Sequence, residues 1–275
     1  MVNNQYVKPH LSLRDFQRQA VEFLLSKKVA LLALPTGTGK TITALSTYCN
    51  LLKNNPKLKL IYITEKPLIR QLVEQDLSNY FNLTHSFVYN NTNPQRIEIY
   101  NTFAQYSNVL VVNYASIRQD FNDIGAILQK NNLDFITIYD EATNFRTPTT
   151  QIAKNIMLLC KASQRAYAMT ATPASRSLID IYNILDTLGM PPYSSKAEFE
   201  RIHANYTLKK MFLFRAGTLK AVAIARPSED GKTHTAFVSL RNKFKLQGNV
   251  KLLTKSILGQ FKIINENNAS FSWSV

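Results

Sequence analysis

A glycine-containing stretch near the N-terminus, Leu34 to Thr41, has the residue types of a phosphate-binding loop. It follows an apolar run, Val29 to Leu34, that suits a buried parallel strand, and it precedes a helical pattern. Such a loop needs this context, because glycine backbones approach phosphates closely and a helix N-terminus attracts anions. The candidate nucleotide-binding residues are Gln17, Pro35, Thr36, Gly37, Thr38, Gly39, Lys40 and Thr41.

Two residues of this loop have specific expected roles. Lys40 is placed to reach the β- and γ-phosphates of a nucleotide, and the Thr41 hydroxyl is placed to bind Mg²⁺. Ala33 stands where the consensus of such loops has its first glycine, so the match is incomplete. A simple strand-to-helix turn is the alternative, which the Gly-Lys-Thr sequence in this register disfavours.

Adjacent acidic side chains, Asp140 and Glu141, follow another apolar strand pattern, Leu133 to Tyr139. We expect Asp140 to hold Mg²⁺ through water, and Glu141 to orient or deprotonate the attacking water in nucleoside triphosphate hydrolysis. The candidate catalytic residues are therefore Lys40, Asp140 and Glu141, and the candidate metal ligands are Thr41 and Asp140. An adjacent acidic pair is usually just a solvated pair of charges. Here, however, the pair follows a strand pattern and comes after the phosphate-loop pattern, which is the order and context that such a site needs.

Strand patterns alternate with helical patterns throughout residues 29–188. This alternation predicts an α/β fold, a doubly wound parallel sheet with helices on both faces. Ligands of such sheets bind at the carboxyl ends of the strands, so the polar residues there should share one edge. Besides the glycine loop, the residues expected along that edge are Thr64, Asn113, Asp140 and Thr170.

Together these residues resemble the first RecA-like lobe of superfamily-two helicases, and the Swi/Snf-like DNA translocases are the closest subgroup. Phe16-Gln17 resembles the adenine-sensing glutamine motif, the glycine loop resembles motif I, Asp140 to Thr143 resembles the DEAD/DEAH box, and Thr170 to Pro173 resembles motif III. The resemblance covers roughly residues 11–206. It implies a P-loop NTPase that uses ATP and Mg²⁺ and couples ATP hydrolysis to movement along duplex DNA, without requiring strand separation.

The resemblance also assigns roles outside the nucleotide loop. Thr170 and Thr172 would couple ATP hydrolysis to conformational change. The residues assigned to contacts with the phosphates of double-stranded DNA are Lys66, Asn113, Tyr114 and Arg146. Such contacts set affinity rather than sequence preference. Thr143 replaces the usual His or Asp at the end of the box, and this leaves the coupling between motifs II and III open.

The composition narrows the class of protein. The chain carries 33 basic and 18 acidic residues, a net charge of +15, and residues 207–275 alone contribute +9 of it. The excess of positive charge therefore lies mainly outside the motifs and is weak evidence for a nucleic-acid partner.

No apolar run approaches the ~20 residues of a membrane span, and the polar N-terminus lacks a secretory pattern. We expect a cytoplasmic or nucleoid-associated protein with no membrane partner, in which Cys49 and Cys160 are buried thiols.

We divide the chain into a RecA-like lobe, residues 1–206, and a basic tail of uncertain structure, residues 207–275. The resembled family needs a second RecA-like lobe, and a tail of 69 residues is about half the size of such a lobe. We therefore expect the tail to be a truncated, read-through or frameshifted segment, or a small accessory segment. A separate second lobe is a candidate partner. The alternatives are a non-catalytic ATP- or DNA-binding remnant or regulatory module, and the motor lobe of a restriction enzyme.

Overall fold

The computed structural model describes residues 5–174 and 177–200, together with the backbone of residues 212–216, 219–227 and 234–238. The chain separates into two units, Met1–Phe199 and Glu200–Val275. The boundary expected between residues 206 and 207 falls outside the described residues, and it stays a prediction.

Strands and helices of the first unit alternate in the order that the sequence pattern predicts. The strands are β1 Val29–Ala33, β2 Lys59–Thr64, β3 His85–Phe87, β4 Val109–Asn113, β5 Phe135–Tyr139 and β6 Arg165–Thr170. The helices are α1 Asp15–Ser26, α2 Lys40–Asn54, α3 Leu68–Gln71, α4 Ser78–Tyr80, α5 Asn93–Tyr106, α6 Tyr114–Gln119, α7 Phe121–Lys130, α8 Gln151–Ala162, α9 Ile179–Thr187 and α10 Lys196–Phe199. A π-helical segment, Leu72–Leu77, joins α3 to α4, and a 3₁₀ turn, Ala142–Phe145, follows β5.

The six strands form one parallel sheet in the order β1-β6-β5-β2-β4-β3. Apolar clusters pack on both of its faces: Leu60 and Tyr62 of β2 belong to one, and Ile61 and Ile63 to the other. Every residue of β4 and β5 is buried, as expected for strands that are covered on both faces. The predicted doubly wound parallel sheet is therefore confirmed.

The register of the strands brings their polar ends to one edge of the sheet. Ala33 pairs with Thr170, and Thr64 pairs with Asn113. Asp140 directly follows β5, which lies between β6 and β2. The structure thus confirms the expected row of polar residues at the carboxyl ends of the strands.

Two regions differ from what the sequence pattern indicates. The apolar spacing after Pro67 indicates one helix, and the structure has an unbroken helical run there whose middle part, Leu72–Leu77, is π-helical, because a π turn inserts an extra residue. In the second unit, the backbone forms a three-stranded antiparallel sheet of β7 Phe212–Ala216, β8 Leu219–Pro227 and β9 His234–Val238. Scattered Lys and Arg residues hide these strands in the sequence, because they interrupt the apolar alternation.

Both cysteines are buried thiols that form no disulfide with each other, which confirms the expectation for Cys49 and Cys160. Burial also raises the pKa of each thiol, that of Cys160 to about 12. None of the helices in the described ranges combines the length and the apolar character that crossing a membrane requires.

Candidate nucleotide-binding site

The glycine loop connects β1 to α2 at the carboxyl edge of the sheet. Leu34 continues the strand pairing by donating its backbone N–H to the Thr170 carbonyl, at 3.2 Å. Gly37 and Gly39 both have a φ of +76°, which glycine adopts without strain. No atom lies within 4 Å of the position that a Cβ on Gly37 would take, so there is open space beside this residue. The loop therefore presents free space and the N-terminus of α2 to an anion.

Lys40, the first residue of α2, lies across the mouth of this loop. Its Nζ donates to the carbonyl oxygens of Leu34 and Pro35, both at 3.1 Å. Burial raises the pKa of Asp140, and the positive charge of Lys40 offsets a small part of that rise, which places the ammonium group in electrostatic range of the carboxylate. The amine and the acidic pair are a hundred residues apart in the chain, and the fold brings them to one site.

The Asp140 carboxylate is held by two donors. Its Oδ2 accepts from the Thr64 hydroxyl at 3.2 Å, and its Oδ1 accepts from the backbone N–H of Glu141 at 3.1 Å. Burial raises the pKa of Asp140, although these hydrogen bonds and the charge of Lys40 offset part of the shift. A buried carboxylate in this setting gains from a nearby cation.

Glu141 has an unusual backbone, with a φ of +54° that only a few non-glycine residues adopt. This conformation turns its side chain towards β6, where Oε1 accepts from the Thr170 hydroxyl at 3.0 Å. The Thr143 hydroxyl donates to the same oxygen at 3.3 Å. Thr170 also accepts from the backbone N–H of Thr172, at 3.1 Å. A direct hydrogen bond therefore joins the acidic pair to the Thr-Ala-Thr segment, and Thr143 supports it.

Gln17 reaches the loop from α1 and is nearly fully buried. Its Oε1 accepts from the backbone N–H of Arg14, and its Nε2 donates to the Thr38 carbonyl, both at 2.9 Å. In this structure the amide thus supports the phosphate loop directly. Its contact with an adenine base stays a prediction.

The four residues assigned to DNA contacts differ in exposure. Lys66 is exposed and Arg146 is partly exposed. Asn113 is buried and caps α6, where its side chain accepts from the Ser116 N–H at 2.9 Å. Tyr114 is 5% exposed, and its hydroxyl donates to the Asp140 carbonyl at 2.6 Å. The last two side chains act within the lobe here, so their contact with DNA stays a prediction.

Sequence reasoning missed two residues beside Lys66. The ring of Tyr89, which follows β3, lies 5.7 Å from Lys66 Nζ and 4.7 Å from the guanidinium carbon of Arg70. These are cation–π distances. The spacing of four residues between Lys66 and Arg70 places both cations on one side of a helical turn, and this signal was available in the sequence.

The donor set at the site fits a magnesium ion. The Thr41 hydroxyl and the Asp140 carboxylate are hard oxygen donors of the kind that Mg²⁺ prefers. No cluster of three or more His, Cys, Asp or Glu side chains suitable for a metal occurs in the described ranges. Mg²⁺ commonly uses only one or two protein ligands and completes its shell with phosphates and water. Thr41 and Asp140 match this kind of ligand set, and their binding of Mg²⁺ stays a prediction.

Comparison with known proteins decides the family. The model of the SNF2-related domain matches residues 16–239, a range that includes the glycine loop, the acidic pair and strands β7 to β9. The chain belongs to the SNF2-related domain family. The matched range of this SNF2-related chain also extends into the segment assigned above to a tail, whose origin stays a prediction.

The relatives of this SNF2-related chain are longer proteins. It is 27% identical over 209 residues to the ATP-dependent DNA helicase fml1 of Schizosaccharomyces pombe, and the alignment covers 75% of the chain but 24% of fml1. The SWI2/SNF2 ATPase core of Sulfolobus solfataricus, solved in complex with dsDNA, has a TM-score of 0.57 at 20% identity, over 73% of this chain and 40% of that one. The Hef helicase domain of Pyrococcus furiosus has a TM-score of 0.51 at 20% identity, over 65% and 36%. The structural matches confirm the RecA-like fold.

Proposed function

We propose that this SNF2-related chain is the ATP-binding lobe of a DNA-dependent ATPase that couples ATP hydrolysis to movement along double-stranded DNA. The observation that carries the proposal is the Glu141 carboxylate, which the Thr170 hydroxyl holds at 3.0 Å beside Asp140. Asp140 in turn is within electrostatic range of Lys40. A phosphate loop, a metal-binding carboxylate and an oriented second carboxylate are the parts that phosphoryl transfer to water needs.

Each part has a distinct role in this proposal. The loop amides and Lys40 hold the β- and γ-phosphates, while Thr41 and Asp140 hold Mg²⁺. Mg²⁺ held by these residues would supply positive charge that offsets the negative charge developing on the phosphates. Glu141 orients the attacking water and accepts its proton. Because Thr170 bonds to Glu141 and to the Thr172 N–H, a change at the phosphates can pass to the segment after β6.

DNA is the proposed polymer on which this lobe acts. Support comes from fml1, which is named a DNA helicase, and from the SWI2/SNF2 core that was solved with dsDNA. On this chain, the exposed Lys66 and Arg70 beside Tyr89 supply positive charge near the carboxyl edge of the sheet. We propose that these cations and Arg146 contact phosphates, and such contacts give affinity without sequence preference.

Full activity is proposed to need a second RecA-like lobe. The chain spans about a quarter of the length of fml1 and two fifths of the SWI2/SNF2 core, so those proteins contain further parts. An arginine supplied from a second lobe is worth about 10³–10⁵ in rate in related phosphoryl transfers. The chain by itself should bind ATP and hydrolyse it very slowly.

A titration of ATP binding, with and without duplex DNA, tests the proposal. Lys40→Ala should abolish ATP binding, whereas Glu141→Gln should preserve binding and abolish the residual hydrolysis. Lys53→Ala is the matched control, because Lys53 is exposed at the opposite end of the same helix. ATP binding that survives Lys40→Ala would overturn the nucleotide site. Unchanged hydrolysis in Glu141→Gln would remove the catalytic role of Glu141, and a wild type that binds ATP without hydrolysing it would favour a non-catalytic module.

A further inference from the structure

Glu141 has a left-handed backbone, with a φ of +54°, and this conformation costs a non-glycine residue free energy. Strain of this kind persists only where the surrounding structure fixes the backbone from several sides. The conformation also directs the carboxylate to the Thr170 hydroxyl, 3.0 Å away. The groups that fix this backbone therefore decide where the proposed catalytic carboxylate lies.

The peptide group between Asp140 and Glu141 is held at both of its polar atoms. Its N–H donates to the Asp140 carboxylate at 3.1 Å, and its carbonyl oxygen accepts from the Tyr114 hydroxyl at 2.6 Å. Tyr114 is buried, and its ring lies 6.4 Å from that of Phe145, in the turn that follows Glu141. Because the orientation of this peptide group sets φ of Glu141, the Tyr114 hydroxyl fixes the strained angle.

Asn144 holds the next peptide group along the chain. Its backbone N–H and its side-chain Nδ2 both donate to the Glu141 carbonyl, each at 3.0 Å. Nδ2 also donates to Oε1 of Glu65, the residue after β2, at 3.1 Å. A carbonyl and a carboxylate can only accept, so the amide nitrogen of Asn144 must face them. Asn144 thus fixes the backbone on the other side of Glu141 and joins it to the end of β2.

These contacts support the acidic pair without occupying its carboxylates. Tyr114 and the Asn144 side chain bond only to the backbone carbonyls of Asp140 and Glu141. They reach the pair from the carboxyl ends of β4 and β2, which are neighbours in the sheet. A reacting side chain needs such support from groups that do not themselves react, because its geometry must be held within about 0.5 Å.

We propose that Tyr114 and Asn144 are positioning residues that hold Glu141 in its left-handed conformation and so place its carboxylate beside the attacking water. The inference rests on the proposed role of Glu141 in hydrolysis. Misplacing a catalytic group by about 1 Å can lower a rate about 10²-fold. Loss of either residue should therefore slow hydrolysis and leave ATP affinity unchanged, because neither residue belongs to the phosphate loop.

The experiment measures single-turnover hydrolysis of radiolabelled ATP, with the full chain in excess over ATP. Tyr114→Phe and Asn144→Ala should each lower the rate about 10–100-fold and keep the dissociation constant for ATP within about twofold of the wild type. The dissociation constant for a fluorescent DNA duplex should also stay within about twofold, because the Tyr114 hydroxyl is already bonded inside the lobe.

Two matched controls should keep the wild-type rate. Tyr139→Phe also removes the hydroxyl of a buried tyrosine that packs against Phe145, but that hydroxyl contacts Cys160 Sγ at 3.3 Å. Asn131→Ala removes an exposed amide that donates to the Ile127 carbonyl, in α7. Neither control changes a contact of the acidic pair.

A second measurement does not depend on hydrolysis. Thr170→Val removes the hydroxyl that bonds to Glu141 and to the Thr172 N–H. In a Tyr114→Phe background, the fall in melting temperature caused by Thr170→Val should shrink by about half or more. The Glu141 carboxylate would already have left Thr170, and its bond is the stronger of the two because it is charged. Independent changes would instead add.

The outcomes separate this inference from the proposed function. If the wild type hydrolyses ATP and both variants keep its rate within about twofold, the inference is overturned and the nucleotide site stands. A single variant that keeps the rate removes its residue from the proposal. Weaker DNA binding by Tyr114→Phe at an unchanged rate would show that the hydroxyl contacts DNA, and this also overturns the role of Tyr114.

A wild type that does not hydrolyse ATP overturns the proposed function. The melting temperatures then decide the inference alone: additive effects of Thr170→Val and Tyr114→Phe overturn the role of Tyr114, and the predicted non-additivity supports it. Circular dichroism melting of each variant establishes that it is folded.

Discussion

Alanine at Gly39 should destabilise the lobe more than alanine at Gly37, because only Gly39 faces another side chain. Both glycines have a φ of +76°. Each alanine would therefore adopt a left-handed conformation that costs an L residue about 1–2 kcal/mol. A Cβ on Gly39 would lie 2.5 Å from Gln17 Nε2, whereas one on Gly37 meets no atom within 4 Å.

The close approach at Gly39 sets the size of the difference. The buried Gln17 side chain must move away, and its Nε2 then loses the 2.9 Å hydrogen bond to the Thr38 carbonyl. Such a bond contributes about 0.5–1.5 kcal/mol net. We therefore expect a loss of about 1–2 kcal/mol in the free energy of unfolding for Gly37→Ala and about 1.5–3.5 kcal/mol for Gly39→Ala.

Urea unfolding followed by far-ultraviolet circular dichroism measures both losses. Each replacement is also made in a Gln17→Ala background, which completes a double-mutant cycle. Without the glutamine, the two alanines should cost the same within about 0.5 kcal/mol. The reasoning fails if Gly37→Ala and Gly39→Ala cost the same in the otherwise unchanged chain. It fails equally if the excess cost at Gly39 persists without Gln17.

Three further predictions concern stability, pH and thiol reactivity. Arg96→Met should lower the free energy of unfolding, measured in urea, by about 3–5 kcal/mol, because it strands a buried carboxylate; Arg96 donates to both oxygens of Asp120, at 2.7 and 2.9 Å. Burial and the charge of Asp140 raise the pKa of Asp76 from 3.8 to about 6. The Asp76 carboxyl therefore holds its proton more tightly in the folded wild type than in the unfolded chain. The wild type loses stability as the pH rises from about 4 to about 6. Asp76→Asn lacks this loss, so in EDTA the melting temperature of the variant minus that of the wild type should increase between about pH 4 and pH 7. A difference between the two melting temperatures that stays constant over this range would contradict the assignment. Burial also raises the pKa of Cys160 to about 12, and a thiol reagent at about pH 8 should label it only after unfolding, as mass spectrometry would show.

Much of the site could be predicted from the sequence because its signals are local. The glycine loop between a strand and a helix, and the acidic pair after an apolar strand, are each visible within about ten residues. Parallel topology then supplies the spatial step, since the carboxyl ends of neighbouring strands must share one edge. The pairing of Ala33 with Thr170, and the hydrogen bond from Thr170 to Glu141, follow from that topology.

The direction of individual side chains could not be predicted in the same way. Gln17 has the position of a base-contacting residue, but its amide bonds to Thr38, and this depends on how α1 packs against the loop. Tyr114 follows a strand end, yet its hydroxyl turns inward to the Asp140 carbonyl because its ring packs near Phe145. No periodicity in the sequence encodes such contacts, since they arise only when elements distant in the chain have docked.

The departure at Thr143 leaves the acidic box bonded to β6 in this structure, and its effect on coupling stays a prediction. The sequence suggested that a missing His or Asp could break the link between the acidic box and the segment after β6. In the structure, the Thr143 hydroxyl reaches the Glu141 carboxylate at 3.3 Å, and Thr170 reaches the same oxygen from β6. A small hydroxyl residue can serve here because the carboxylate, rather than the last residue of the box, makes the connection.

The left-handed backbone at Glu141 makes this position informative about the history of the chain. A glutamate there is strained by about 1–3 kcal/mol, whereas glycine would fold without strain. A related chain that no longer hydrolyses ATP would therefore gain stability from replacing this glutamate with glycine. If the proposed hydrolysis is correct, related chains that hydrolyse ATP should keep glutamate at position 141, whereas glycine there should mark relatives that have lost this activity.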